Sequence, residues 1–221
     1  MRLQKLDAVR FPAGEVTGNG QVFAFDYKGP DTAIAINRLL KDGARVTFGP
    51  SPSRVQVAGV PRKRMEAIAA DFGLKVQAIA AAKGATAGVP IKVPRVGLYQ
   101  SWTANMDEGW TRWVLEQYEF APKTLHNEDI RAGRLHEKFD VVVLADQQPR
   151  DILEGNTSRS TRKEYQGGIG SEGLAALKAF VADGGTLVTL GSSCDFAIEN
   201  WPLPVRNLKR GLSRDQHYAP G

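Results

Sequence analysis

The chain has 221 residues, 42% hydrophobic and 24% charged, with 29 Lys and Arg against 24 Asp and Glu for a formal net charge of +5; that length can bury a genuine core, and the balance is that of a globular protein. No apolar run nears the roughly 20 residues a bilayer crossing needs, and the opening MRLQKLDAVRFPAGEV lacks the apolar stretch of a signal peptide. The single cysteine excludes an internal disulfide framework and a cysteine-rich zinc site.

In chain order, GQVFAFDY alternates like a strand, and GPDTAIAINRLLKDGA sets Ile34, Ile36, Leu39 and Leu40 near one helical stripe with Gly43 as a stop. RVTFG and RVQVAGV read as strands. PRKRMEAIAADFG reads as a helix with Pro61 at its start and Gly73 at its end, and LKVQAIA as a further strand. The Gly- and Pro-punctuated AAKGATAGVPIKVP then predicts a linker at about residues 83–93, dividing a smaller α/β unit (1–92) from a larger domain (94–221).

The second domain opens with the apolar strand RVGLYQS. NMDEGWTRWVLEQYEF follows, with acidic residues in its first turn and Trp110, Trp113, Val114 and Tyr118 at helical spacing. Core packing is the expectation for Trp102, Trp110 and Trp113, and helix N-terminal charge for Asp107 and Glu108. KTLHNEDIRAGRL supplies a short strand and a turn of helix. FDVVVLADQ is the near-continuous apolar run of a strand buried on both faces. SEGLAALKAFVADGG is a helix and TLVTLGSS the next strand. This alternation predicts an α/β fold with a doubly wound, mostly parallel sheet, flavodoxin-like in outline. After Trp201 neither the further strand nor the closing helix of such a sheet follows, so the expectation is of a domain cut short.

A doubly wound sheet places functional groups at the carboxyl ends of its strands. Here those ends carry Gln100, Ser101 and Trp102; Asp146 to Gln148; and Gly191 to Cys194, with Ser192 among them. A cysteine nucleophile needs a sharp strand-to-helix turn, oxyanion donors and a histidine base. Cys194 lacks the G-x-C-x-G spacing, since Phe196 stands where a second glycine would relieve crowding. Its candidate bases are His126, His136 and His217, and a buried structural thiol is the alternative. Gly168, Gly170 and Gly173 form G-x-G-x-x-G before a helix, but more than 20 residues separate them from the preceding strand. A glycine-rich helix entry capped by Ser171 explains them, and their amides leave an anion-binding role open. HNED (126–129) imitates half a zinc site without a third ligand, and the segment reads as a strand end and loop. The basic stretches PRKRME (61–66) and RNLKRGLSR (206–214) lack interleaved aromatics and any nucleic-acid motif, so they read as solvated surface.

The stretch VPRVGLYQSWTANMDEGWTRWVLEQYEF, with TLHNEDIRAGRL, FDVVVLADQ, EYQGGIGSEGLAALKAFVADGGTLVTLGSSCDFAIE and LPVRN, resembles the C-terminal region of large bacterial proteins that begin with a zinc carboxypeptidase domain of the carboxypeptidase A class. The resemblance implies a class I glutamine amidotransferase-like fold without the amidotransferase nucleophile. It is good over residues 94–221 and looser over 14–92. The peptidase family holds zinc with an H-x-x-E pair and a distant histidine; no H-x-x-E occurs here, so no catalytic or metal-binding residue carries over. The implied role is accessory and non-catalytic, with no cofactor in this chain and zinc only in a separate peptidase domain. The expected partners are that domain of the same polypeptide and its peptide substrate, with no nucleic acid and no membrane span. The compartment stays open; as part of a secreted peptidase the chain would lie in the periplasm or outside the cell. Two alternatives remain. One is a stand-alone cysteine hydrolase or amidotransferase-like enzyme using Cys194. The other is a small-ligand or anion-binding module using Ser171 and the glycine amides, with Gln100, Ser101, Trp102, Asp146, Gly168, Gly170 and Ser192 as further ligand-binding candidates.

Overall fold

The computed structural model of the chain describes residues 13–49, 51, 53–80, 88–213 and 215–216. Its contacts divide into two units, one comprising Met1–Val93 with Tyr118–Phe120, the other Pro94–Gln117 with Ala121–Gly221. His217 and residues 83–87 of the expected linker lie outside the described residues.

The first unit contains β1 (Glu15–Thr17), β2 (Val22–Asp26), α1 (Pro30–Lys41), β3 (Arg45–Phe48), β4 (Arg54–Ala58), α2 (Arg62–Phe72), β5 (Lys75–Ile79) and β6 (Val89–Ile91). The sheet order is β1-β5-β2-β4-β3-β6, antiparallel throughout except for β1 with β5. Its middle four strands with the two helices form β-α-β-β-α-β, the ferredoxin-like split arrangement. Phe23, Phe25, Leu39, Val57, Met65 and Ile68 meet in its core. Gly73 ends α2 in the left-handed conformation at φ 62°, as its sequence position suggests. Pro61 lies one residue before that helix, not inside it. The buried side of α1 runs through Thr32, Ala35, Ile36 and Leu39, leaving Ile34 beside the stripe. The segment expected as linker ends in an edge strand instead. β6 pairs with β3, placing Pro90 opposite Thr47, and an edge strand tolerates a residue with no N–H to donate.

The second unit contains β7 (Val96–Tyr99), α3 (Met106–Gln117), β8 (Lys123–Leu125), α4 (Asn127–Arg131), α5 (Leu135–Lys138), β9 (Val141–Leu144), α6 (Pro149–Leu153), a 3-10 turn (Lys163–Tyr165), α7 (Gly170–Ala182), β10 (Thr186–Thr189) and α8 (Ser193–Asn200). Its four strands are all parallel in the order β10-β9-β7-β8. Counted along this unit that is 2-1-3-4, so the fold is α/β, doubly wound and flavodoxin-like in its strand order. Tyr99, Ile130, Leu144, Ile169, Phe180 and Phe196 belong to the core. Among the described residues no helix is long and apolar enough to cross a membrane.

Three local expectations fail for physical reasons. Trp110 and Trp113 are 59% and 53% exposed, because α3 turns Glu108 inward at 4% exposure instead. Glu108 is held there by Arg112, through Nε at 3.0 Å and Nη2 at 2.6 Å, and by Gln100 Nε2 at 3.4 Å. Ser171 is no cap: burial of Ile169 draws the chain into α7 at Gly170, leaving Ser171 exposed in the first turn. Finally, HNED is mostly helical, since α4 begins at Asn127 with the Asp129 carboxylate accepting the His126 backbone N–H at 2.9 Å.

Candidate functional site

In a parallel sheet every strand delivers its following loop to the same edge. The chain leaves β7 toward β8 on one side and leaves β9 toward β10 on the other, so the gap between β7 and β9 is the topological switch point where such folds bind ligands. The loops after β7, β9 and β10 interlock there. Gln147 Nε2 donates to Ser101 Oγ at 2.7 Å, and Ser101 Oγ donates to the Thr103 carbonyl at 2.8 Å. Asn105 Nδ2 donates to the Asp146 carbonyl at 3.1 Å. Across the next gap, the fully buried Ser193 Oγ donates to the Ala145 carbonyl at 2.5 Å and accepts the Gln147 N–H at 3.2 Å. Gln148 Nε2 reaches Ser192 Oγ at 3.2 Å.

Asp146 Oδ1 accepts the Ser192 N–H at 2.8 Å, setting a carboxylate against the start of α8, where negative charge is favoured. Gly191 makes this approach possible. It sits at φ +55°, and a Cβ there would lie 2.1 Å from Asp146 Oδ2. Beside these groups a cavity of about 580 Å³ opens, with Asp146, Ser192, Cys194, Asp195, Arg206 and Lys209 in its lining. Asn207 Nδ2 holds both Asp195 oxygens, at 2.9 and 3.0 Å.

Trp102 forms the other part of the edge. Its ring stacks on His126 at 4.0 Å and 13°, and Tyr165 meets it edge-on at 4.7 Å. His126 Nδ1 lies 2.8 Å from the Gln100 carbonyl; a carbonyl only accepts, so this contact puts the proton on Nδ1. Trp102 Nε1 and Thr103 Oγ1 are buried with no hydrogen-bond partner among the described residues. Below the edge, Tyr99 Oη donates to Asn127 Oδ1 at 2.7 Å, and Asn127 Nδ2 donates to the Gly167 carbonyl at 2.9 Å. Burial pushes the Tyr99 phenol well above its ordinary value.

The structure therefore gathers Gln100, Ser101, Trp102, Asp146, Ser192 and Cys194 at one edge of one sheet, while Gly168, Gly170 and Ser171 belong to the entry of α7. Gly168 is buried where its backbone crosses α6: a Cβ there would lie 2.4 Å from the Ile152 carbonyl oxygen. Its own carbonyl accepts from Arg131 Nη1 at 2.5 Å. Close backbone packing is thus the role observed for this glycine.

Cys194 sits in the first turn of α8. Its Sγ lies 3.3 Å from the Thr189 carbonyl, to which it donates, and 3.7 Å from Thr189 Oγ1. The described histidines are elsewhere. His126 follows β8, three strand spacings from β10, or roughly 14 Å at about 4.8 Å per strand. His136 precedes β9 and lies 3.7 Å from Asp183, which precedes β10, so both mark the opposite edge of the sheet. Among the described residues no three His, Cys, Asp or Glu side chains group as metal ligands.

Of the residues whose side chains join the loops, Gln147 and Ser193 fall within the strand-end loops expected from the sequence, and Asn105 falls outside them. Their position after strand ends was the available signal, but only the β7–β9–β10 adjacency reveals which of them meet. In comparisons with protein-family models, curated proteins and solved structures, the chain matches none.

Proposed function

We propose that the chain is a non-catalytic accessory region of a zinc carboxypeptidase-type protein, with proteolysis residing in a separate peptidase domain and the strand-end edge serving domain packing or substrate binding. The family assignment rests on the resemblance of residues 94–221 given above. The observation that carries the non-catalytic part is the setting of Cys194. A thiol nucleophile requires a base within about 3 Å, and this thiol is directed to the Thr189 carbonyl, while the His126 ring lies against the Gln100 carbonyl at the end of β7, with β9 between that strand and β10. The loops around it are hydrogen-bonded to one another, an arrangement that fixes shape without presenting an acid–base pair.

The test is the coding DNA on either side of the segment. An open frame running upstream into H-x-x-E and a later histidine supports the assignment; stop codons immediately outside the segment remove the peptidase partner and with it this reading.

A small-ligand module is the second reading, favoured by the orphaned Trp102 Nε1 and Thr103 Oγ1 and by the cavity beside Asp146. A ligand that binds only the folded state raises its stability. Thermal denaturation with added amino acids, dipeptides, inorganic phosphate and nucleotides separates the two, since the purely packing role gives no shift with any of them.

A further inference from the structure

Helix α3 is amphipathic in the reverse of the usual sense. Its inward side carries the Glu108–Arg112 pair, with Arg112 Nη2 also donating to Thr124 Oγ1 at 2.9 Å. Its outward side carries Met106, Trp110, Trp113 and Val114, at i, i+4, i+7 and i+8, all exposed. A contiguous exposed stripe with two tryptophans is the composition of an interface centre. The exposed ionised side chains of the helix, Asp107 and Glu116, are both acidic, and its one cation is committed to Glu108. A surface fitting this face is apolar with a basic border.

The same unit carries such a surface. In residues 203–212, Leu203, Val205, Leu208 and Leu212 are exposed, Leu208 at 70%. Arg206 and Lys209 alternate with them, and neither side chain has a hydrogen-bond or ion-pair partner among the described residues. The segment is held in place by Asn207, whose side chain binds Asp195 and whose Oδ1 accepts the Lys209 N–H at 2.9 Å.

We propose that the chain forms a closed symmetric dimer in which α3 of each copy receives residues 203–212 of the other. Reciprocal docking satisfies both surfaces at once and makes the contact self-complementary, as a two-fold interface requires. It also forms two equal contacts, which helps reach the roughly 1,600 Å² that specific interfaces bury. Charge argues against the like pairings: α3 packed antiparallel on α3 sets Asp107 against Glu116, and segment on segment sets cation against cation. The proposal is independent of the accessory role.

Sedimentation equilibrium of the full chain tests it. Dimer is expected, and Trp110→Ser with Trp113→Ser, both on the exposed face, raises the dimer dissociation constant about tenfold or more. Asp107→Lys with Glu116→Lys, or Arg206→Glu with Lys209→Glu, gives monomer when either variant is alone. Mixing the two charge-reversed chains restores a heterodimer, because each contact again pairs opposite signs. Monomer at every concentration of the unaltered chain, species larger than dimer, or a dimer indifferent to the charge reversals would each overturn the proposal.

Discussion

In the first sheet neighbouring strands mostly run antiparallel, so the loops that follow them are shared between its two edges; in the second all four strands run parallel, and the loops after β7, β8, β9 and β10 leave from one edge. The first unit accordingly has a packed core of Phe25, Val57, Met65 and their neighbours, without a comparable gathering of polar loops among the described residues. The second draws Ser101, Asn105, Asp146, Gln147, Ser192 and Ser193 into one network although they span more than ninety residues of sequence. Strand direction, more than composition, decides where distant polar residues can meet.

The largest expected effects test whether the two cores are separate. Phe196→Ala should cost about 3–5 kcal/mol, as for other buried aromatics. Urea denaturation followed by tryptophan fluorescence reads it directly, because Trp102, Trp110, Trp113 and Trp201 all belong to the second unit. Phe25→Ala should cost a similar amount in the first unit, seen in far-UV circular dichroism, while leaving the fluorescence midpoint nearly unmoved. An equal shift of both signals in either variant would merge the cores that the comparison separates.

Next comes the network. Ser193→Ala strands the Gln147 N–H and loses the bond to Ala145, an expected loss of about 1–3 kcal/mol. Ser192→Ala, on the partly exposed side, should stay within about 0.5 kcal/mol. Comparable losses at the two serines would mean that the interlock is not what orders this edge.

The units should also differ in their response to pH. The Tyr99 phenol is raised in the folded state, so the stability it contributes is complete below the ordinary phenol value of about 10 and declines as pH rises above it. The Asp26 carboxyl is lowered by hydrogen bonds from Arg54 and Lys28, so its contribution, small at an exposed site, is present above the ordinary carboxylate value and lost as pH falls below about 4. Denaturation midpoints measured across both ranges should show an alkaline slope that Tyr99→Phe reduces and an acid slope that Asp26→Asn reduces, the rest of the acid slope including Glu119, whose carboxyl is lowered by hydrogen bonds from Arg38 and Lys41. The smallest effect is expected at Trp110: replacing this exposed side chain by Ser should change the folding stability of the isolated subunit by no more than about 0.5 kcal/mol.

Much of the fold is legible from local pattern. The apolar run VVVLA announces a strand buried on both faces, and the glycines after α2 and α7 mark helix ends by a conformation other residues resist. Two of the expectations that fail depend on which side chains turn inward, which helical spacing alone does not decide. The helical spacing does not say that Glu108 will turn inward and expose two tryptophans; Arg112, one turn on, and Gln100, on the preceding strand end, supply the reason. Nothing near Ser171 says that Ile169 will be drawn into the core beside Ile130. The strand-end loops were identifiable from the doubly wound pattern. Their partners were not, since pairing Gln147 with both Ser101 and Ser193 requires knowing that β9 lies between β7 and β10.

The most direct test of the structural role assigned to Cys194 is its alkylation by iodoacetamide in the native chain near neutral pH. A thiol held against the Thr189 carbonyl, with neither His126 nor His136 beside it, should label slowly while folded and at the rate of a free thiol once denatured. Rapid labelling of the folded chain well below pH 8.5, the ordinary thiol value of about 8.5, would identify an activated nucleophile and contradict the account.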